Sequence, residues 1–289
     1  MAIRRLFSFL CAIGLVGRHA SAAYIQKPHF HWDSTKYLIA FGDSYTFVQG
    51  TAGYPNYSFI GSYLPGQFSF SPDTLLSNKI VQNFTGTAEG GPNWTYLRQH
   101  HDFTIPLVNQ TQQYLTWAEP VIGKGMDKAK ALVVFWIGIN DINDSSKFTN
   151  VSFPAFYSRL IDTVFTQSVR PMYEAGYKSF LFINLPPLDR TAVNVVSDSP
   201  LPNKTMIGWW GDSLARHSNV FAEKTRGVTA MVYDANKFLN GVLDDSEAFG
   251  IKNTTSYCLD YADPDVLVRP ELHGCLPLDE YFWYNSGHM

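Results

Sequence analysis

The stretch "ALVVFWIGIND", residues 131–141, decides the fold class of this chain. Its apolar run from Ala131 to Ile137 is almost continuous, which is typical of a strand buried on both faces. Such strands occur in parallel sheets whose two faces are covered by helices. The stretch therefore predicts an inner strand of an α/β domain.

Comparable runs recur along the chain and alternate with longer segments of helical periodicity. Residues 154–175 repeat apolar side chains at helical spacing, with Pro171 expected to bend this helix and Gly176 to end it. The alternation predicts a mainly parallel, five-stranded sheet with helices on both faces. The other four predicted strands are "YLIAFGDS" (37–44), "KIVQNFT" (79–85), "YKSFLFINLPP" (177–187) and "TAMVYDAN" (229–236).

The beginning of the chain predicts a signal peptide. Arg4 and Arg5 precede an apolar run too short to span a bilayer, and "ASA" before Ala23 fits a small-residue cleavage site. We expect residues 1–22 to be removed and residues 23–289 to form one secreted domain. Asn-x-Ser/Thr sequons favour the same compartment, and glycosylation is expected at Asn56, Asn83, Asn109, Asn150, Asn203 and Asn253.

Charge and cysteine usage narrow the function classes further. A net charge of -3 and a pI near 6.2 offer no electrostatic footprint for nucleic acid. Once the signal peptide is gone, Cys258 and Cys275 remain as an even pair in an oxidising compartment. We predict that they form a disulfide, with two buried free thiols as the alternative.

Residues suited to acyl transfer follow the predicted strands. In parallel α/β sheets, ligands bind beyond the carboxyl ends of the strands. Ser44 stands at such an end, where a following helix would supply backbone N–H groups for a developing negative charge. Asn140 follows the central strand, Gly90 and Gly91 follow the second, and His288 is the penultimate residue. A serine nucleophile needs a base of this kind near neutral pH.

Ser44, Gly91, Asn140 and His288 occur in the order of the SGNH hydrolases, also called GDSL esterases and lipases, and the chain resembles that family. The stretches "MVYDANKFLNGVLDDSEAFGIKNTTSYC" and "FWYNSGH" resemble the secreted fungal acetylesterases of carbohydrate esterase family 16. The resemblance implies a flavodoxin-like three-layer α/β/α sandwich without a cofactor or metal. It also implies that Ser44 is the nucleophile and His288 the base. The oxyanion hole would comprise the backbone N–H groups of Ser44 and Gly91 and the Asn140 amide.

A second Gly-Asp-Ser occurs in "GWWGDSLARHS", residues 208–218. It does not follow a strand and lies within a helical pattern, where Leu214, Val220 and Phe221 fit one helix face and Asp212 or Ser213 is expected to cap the start. We interpret Ser213 as a decoy.

The chain departs from the family at the histidine, because the position three residues earlier is Asn285 instead of Asp. Three hypotheses remain. A Ser–His dyad works with Asn285 or a backbone carbonyl orienting the ring, which we favour; another carboxylate such as Asp279 or Asp263 reaches His288; or the activity is impaired. In serine proteases the Asp-to-Asn change costs about 10⁴ in turnover because the amide permits the wrong tautomer.

Two further departures concern the surroundings of the site. Family members continue past the histidine, whereas this chain stops at Met289, so we predict a truncated chain with a poorly anchored His288 and lowered activity. Sequons at Asn93 and Asn143 adjoin the proposed site, and Asn93 is predicted to be unmodified because a glycan there would obstruct the oxyanion loop.

The leading hypothesis is a secreted esterase that removes acetyl groups from carbohydrates such as xylo-oligosaccharides through an acyl-serine intermediate. Its partners would be acetylated saccharides or other small esters, with no nucleic acid and no membrane. The alternatives are a lipase or phospholipase of the same fold and a non-catalytic carbohydrate-binding protein. No metal site is predicted, since the His pairs have no third ligand at supporting spacing; these pairs are His29 with His31 and His100 with His101.

Overall fold

The computed structural model describes residues 30–42 and 106–289. Within these ranges an all-parallel, four-stranded sheet has the order β1-β2-β3-β4. The α/β class and four of the five predicted strands are confirmed, and the remaining prediction, residues 79–85, lies outside the described residues. The strands are β1 (Tyr37–Gly42), β2 (Ala131–Trp136), β3 (Ser179–Ile183) and β4 (Thr229–Tyr233).

Helical segments connect and cover these strands. The α-helices are α1 (Leu107–Gln113), α2 (Glu119–Ile122), α3 (Ile139–Ser145), α4 (Phe153–Val164), α5 (Arg170–Glu174), α6 (Lys204–Lys224) and α7 (Ala235–Asp244). The 3₁₀ turns are Trp32–Ser34, Gly123–Gly125, Lys128–Lys130, Leu188–Arg190, Ser246–Phe249, Pro264–Leu267, Pro270–His273 and Leu278–Glu280. In the part of the chain that the structure describes, no helix has the length and apolarity needed to cross a membrane.

The helix predicted over residues 154–175 is divided in two. A π-helical turn, Phe165–Val169, separates α4 from α5, and Pro171 lies in the first turn of α5. Proline has no N–H to donate to the preceding turn, which explains why the regular hydrogen-bond ladder is interrupted just before it. Gly176 follows α5 with a φ of 107°, so the predicted stop is confirmed.

The main core lies between the sheet and the helices that cover it. The Phe135 ring in β2 stacks at 5.3 Å from Phe41 in β1 and at 5.9 Å from Phe182 in β3. The first five residues of β2 are buried, as the continuous apolar run predicts. Parallel pairing therefore places the carboxyl ends of all four strands along one edge, and Asn140 follows the end of β2 at this edge.

A smaller apolar cluster holds the last segment of the chain. Phe282 and Trp283 pack with Ala192, Val242 and Leu243, and Trp283 is fully buried. Nearby, the predicted disulfide between Cys258 and Cys275 is confirmed, with Cα atoms 5.5 Å apart. We call residues 258–275, which this bond closes, the disulfide loop.

Candidate active site

The carboxyl end of β2 presents Asn140 as predicted, although on a different element. The strand ends at Trp136 instead of continuing to residue 141, and Asn140 lies in the first turn of α3. The change of direction takes place at Gly138, whose φ is 114°. A side chain there would be strained and would also collide with the indole of Trp210. Glycine is therefore required for Asn140 to reach this edge.

Three strand ends are joined by a polar network that sequence reasoning missed. The indole Nε1 of Trp136 donates to the carbonyl of Asn184 over 3.0 Å, joining β2 to β3. Asn184 Nδ2 donates to Asp234 Oδ1 over 2.8 Å, and its Oδ1 accepts from the Asn236 N–H over 2.9 Å. These bonds join β3 to β4 and the start of α7. A polar residue near the end of the predicted strand, in "INLPP", was the available signal.

Asn285 and His288 form a compact turn near the end of the chain. Asn285 Oδ1 accepts from the backbone N–H groups of Gly287 at 3.0 Å and His288 at 2.9 Å. The same oxygen lies 2.9 Å from Nδ1 of the His288 ring. Only 1% of Asn285 is exposed. A short polar side chain that turns back onto following backbone N–H groups is characteristic of Asn at turns.

This turn determines which ring nitrogen of His288 carries the proton. Backbone N–H groups only donate, so the amide atom facing them must be the carbonyl oxygen. Nδ1 then has to donate to that oxygen, and in the neutral ring Nε2 keeps its lone pair. Rotating the Asn285 amide would break both backbone bonds. The residue that replaces the expected Asp therefore holds the ring in the tautomer that a general base requires.

His288 is held more firmly than its position near the chain end predicts. Its carbonyl accepts from the Tyr284 N–H over 2.7 Å. Upstream, the Phe282 N–H donates to the Asn253 carbonyl over 2.8 Å, and Trp283 Nε1 donates to the Thr254 carbonyl over 3.1 Å. The expectation of a poorly anchored histidine was wrong, because hydrogen bonds and buried aromatic rings hold the segment that bears it.

Asp263 and Asp279, the two carboxylates considered as partners of His288, lie at 3₁₀ turns of their own. Asp263 accepts from the Asp265 N–H over 2.9 Å and caps the 3₁₀ turn of Pro264–Leu267. Asp279 is exposed on the 3₁₀ turn of Leu278–Glu280. The acceptor that faces Nδ1 is the Asn285 amide.

The second Gly-Asp-Ser lies in the middle of α6, which agrees with the interpretation of Ser213 as a decoy. Ser213 is only 1% exposed, and mid-helix backbone N–H groups are used by the helix itself. The predicted cap at Asp212 or Ser213 was wrong, because Asn203 caps the helix and accepts from the Met206 N–H over 3.0 Å. Leu214 and Phe221 are buried as predicted, whereas Val220 faces solvent.

Several predicted residues lie outside the described residues, namely Ser44, Gly90, Gly91, Asn56, Asn83, Asn93, His29, His100, His101 and the signal peptide. Among the described sequons, Asn143, Asn150 and Asn203 are exposed, while Asn109 and Asn253 are partly buried. Asn253 Oδ1 already accepts from the N–H groups of Thr255 and Ser256.

Comparisons with known proteins point to ester hydrolysis. The chain is 27% identical over 244 residues to an acetylesterase of Thermothelomyces thermophilus, and the match covers 78% of each chain. No family model matches the chain. Distant homology to a fungal acetylesterase indicates ester hydrolase activity.

Proposed function

We propose that this protein is a secreted serine esterase that removes acetyl groups from carbohydrates such as acetylated xylo-oligosaccharides. The observation that carries the proposal is the His288 ring, held by Asn285 in the tautomer of a general base, in a chain distantly homologous to an acetylesterase. The Cys258–Cys275 disulfide is consistent with an extracellular protein.

In the first half of the reaction, Ser44 Oγ attacks the acetyl carbonyl while His288 Nε2 takes the hydroxyl proton. The carbonyl oxygen becomes an oxyanion that accepts from the backbone N–H groups of Ser44 and Gly91 and from the side-chain amide of Asn140. Collapse of this intermediate breaks the bond to the sugar oxygen. That oxygen leaves as a hydroxyl by taking the proton from His288, and the acetyl group stays on Ser44.

In the second half, a water molecule attacks the acetyl-serine. His288 Nε2 takes one proton of the water and the same donors hold the second oxyanion. That proton then returns to Ser44 Oγ as acetic acid leaves, and the acid loses its own proton to solvent as acetate. Both halves need one nitrogen of His288 that alternates between accepting and donating. The hydrogen bond from Nδ1 to Asn285 keeps Nε2 available for both steps.

The neutral amide of Asn285 performs one of the two tasks that a carboxylate performs in a triad. It fixes the tautomer and the orientation of the ring. It brings no negative charge to stabilise the imidazolium that forms when His288 accepts a proton. We therefore describe the site as a Ser44–His288 dyad with an orienting Asn285.

Acetate release from an aryl acetate and from acetylated xylo-oligosaccharide tests the proposal, with wild type beside Ser44→Ala and Ser213→Ala. We expect Ser44→Ala alone to abolish turnover of both substrates. Loss of activity in Ser213→Ala, with activity retained in Ser44→Ala, would show that Ser44 is not the nucleophile. A wild type that neither releases acetate nor takes up a fluorophosphonate would favour a carbohydrate-binding protein. Faster turnover of long-chain than of acetyl esters would favour a lipase.

A further inference from the structure

We propose that the disulfide loop positions the catalytic histidine, with Tyr284 as the positioning residue that connects the two. The inference rests on the proposed function, because it requires His288 to be the general base. Three hydrogen bonds in series, from Cys258 to Tyr261, from Tyr261 to Tyr284 and from Tyr284 to His288, carry it.

The first connection ties Tyr261 to the disulfide. The Tyr261 N–H donates to the carbonyl of Cys258 over 3.2 Å. Cys258 is 2% exposed and is bonded to Cys275 at the far end of the loop. The ring of Tyr257 also meets the Tyr261 ring edge to face at 6.0 Å. The backbone of Tyr261 is therefore held by a turn that begins at the buried, disulfide-bonded Cys258.

The second connection joins the disulfide loop to the terminal segment. The Tyr284 O–H donates to the Tyr261 carbonyl over 3.1 Å, and the two rings meet edge to face at 5.3 Å with an angle of 69° between their planes. Burial raises the pKa of the Tyr284 phenol, so this group stays a neutral donor across the range in which an esterase works.

The third connection reaches the histidine. The Tyr284 N–H donates to the His288 carbonyl over 2.7 Å, and the next residue, Asn285, holds the His288 ring. Tyr284 thus makes both contacts: its phenol donates to the disulfide loop, and its backbone N–H closes the turn that contains His288. Releasing the phenol would let this turn shift relative to the disulfide loop.

The terminal segment has other contacts that hold it in the fold. Phe282 and Trp283 are buried in the smaller apolar cluster, and the Trp283 indole donates to the Thr254 carbonyl. Removing the Tyr284 hydroxyl leaves these contacts in place. The expected effect is therefore a displacement of His288 and not an unfolding of the segment.

The test compares Tyr284→Phe with Tyr173→Phe, which removes the same kind of bond at the amino-terminal end of β4. The Tyr173 O–H donates to the carbonyl of Arg226, just before β4, also over 3.1 Å, and its ring meets Phe221 edge to face at 6.3 Å. The measurements are kcat and KM for an aryl acetate and the rate of fluorophosphonate labelling of Ser44.

For Tyr284→Phe we expect kcat and the labelling rate to fall roughly tenfold with KM unchanged, because a catalytic group displaced by ~1 Å can lose up to ~10²-fold in rate. Tyr173→Phe should leave all three values unchanged. A Tyr284→Phe enzyme within about twofold of wild type would overturn the proposal, as would an equal loss in both variants.

A second variant, Cys258→Ala with Cys275→Ala, tests the start of the series. It should lower kcat in the same way, and adding Tyr284→Phe should lower it no further, since both changes interrupt the same series of connections. Additive losses would overturn the series, and if the cysteine variant does not fold, Tyr284→Phe alone decides. Ser44→Ala and His288→Ala separate the two proposals: activity retained in either refutes the proposed function, whereas activity lost in both with Tyr284→Phe unaffected refutes the positioning role only.

Discussion

His217 and His288 each donate from Nδ1 to an acceptor a few residues earlier in the chain. For His217 the acceptor is the backbone carbonyl of Ser213 at 2.8 Å, and for His288 it is the Asn285 side chain at 2.9 Å. Each histidine has a serine of a Gly-Asp-Ser motif as its partner. His217 lies beside Ser213, and His288 is paired with Ser44 by the proposed function. Only their surroundings differ.

The surroundings of His217 argue against catalysis at Ser213. Its Nδ1 lies 3.4 Å from the Ser213 hydroxyl, but that nitrogen already carries the proton donated to the Ser213 carbonyl. It has no lone pair with which to accept the hydroxyl proton. Ser213 is also buried within α6. A motif and a nearby histidine therefore do not suffice for catalysis, because the base must present an unprotonated nitrogen and the serine must be accessible.

The largest expected difference is between His288→Ala and His217→Ala. Loss of the proposed base should reduce kcat for acetate release by at least about 10³-fold, because Ser44 would have no group to take its proton. His217→Ala should stay within about twofold of wild type. Thermal unfolding of both variants controls for misfolding, and an inactive but folded His217→Ala enzyme would contradict the comparison.

Asn140, the proposed oxyanion donor, should have the next largest effect. Removing such a donor costs ~10²–10³ in kcat in other enzymes, and we expect Asn140→Ala to fall in that range with little change in KM. Asn143→Ala is the matched control, because it changes an exposed Asn in the same short helix, α3. Equal activity of the two variants would remove Asn140 from the oxyanion hole.

Changes at Asn285 sharpen the comparison in both directions. Asn285→Ala deprives Nδ1 of its acceptor, so we expect kcat to fall by about 10²-fold as the ring loses its orientation. Asn285→Asp keeps an oxygen for the same N–H donors and adds a charge that stabilises the imidazolium. We expect kcat to rise severalfold at neutral pH or above.

The pH–rate profile gives Asn285→Asp a second readout. A carboxylate beside the ring raises the pKa of His288, so the rise of kcat with pH should move to higher pH. An Asp variant with an unchanged profile would mean that residue 285 does not face the catalytic ring.

His273 differs from both histidines because it lies between two carboxylates. The smallest predicted effect is the change that its substitution makes to the pH dependence of the melting temperature. Its Nδ1 lies 2.9 Å from Asp260 Oδ2 and its Nε2 3.5 Å from Asp265 Oδ2. The hydrogen bond to Asp260, assisted by Asp265 and Asp263, raises the pKa of His273 despite partial burial. Arg269 shares Asp265 at 2.6 Å.

Because the folded state favours protonated His273, this stabilisation is fully present below the ordinary histidine pKa of about 6.5 and is lost as pH rises through the raised value. The melting temperature should fall slightly across that window in wild type and less in His273→Gln. The carboxylates are well exposed, so the effect is small. Identical pH dependence of the two proteins would show that the contact adds no stability.

Part of the fold could be predicted because single segments carry the signal. The apolar run of β2 indicates a strand buried on both faces, and burial confirms it. The disulfide could be predicted from an even number of cysteines and an oxidising compartment. The boundary at Gly138 was missed, because apolar Ile139 continues the pattern while the backbone has already turned into α3. The cap of α6 was misplaced, because Asn203 and Asp212 are both acceptable cap residues and only the hydrogen bond to Met206 identifies the first.

The sequence predicts an alternation of buried strands and helices, and with it a parallel sheet with Asn140 just beyond the end of one strand. It also showed that Asn285 stands where the resembled family has Asp. That this Asn turns its oxygen towards His288 is visible only in the folded chain. Residue type does not specify which way an amide points, and here the direction follows from two backbone N–H groups that the turn brings to that oxygen.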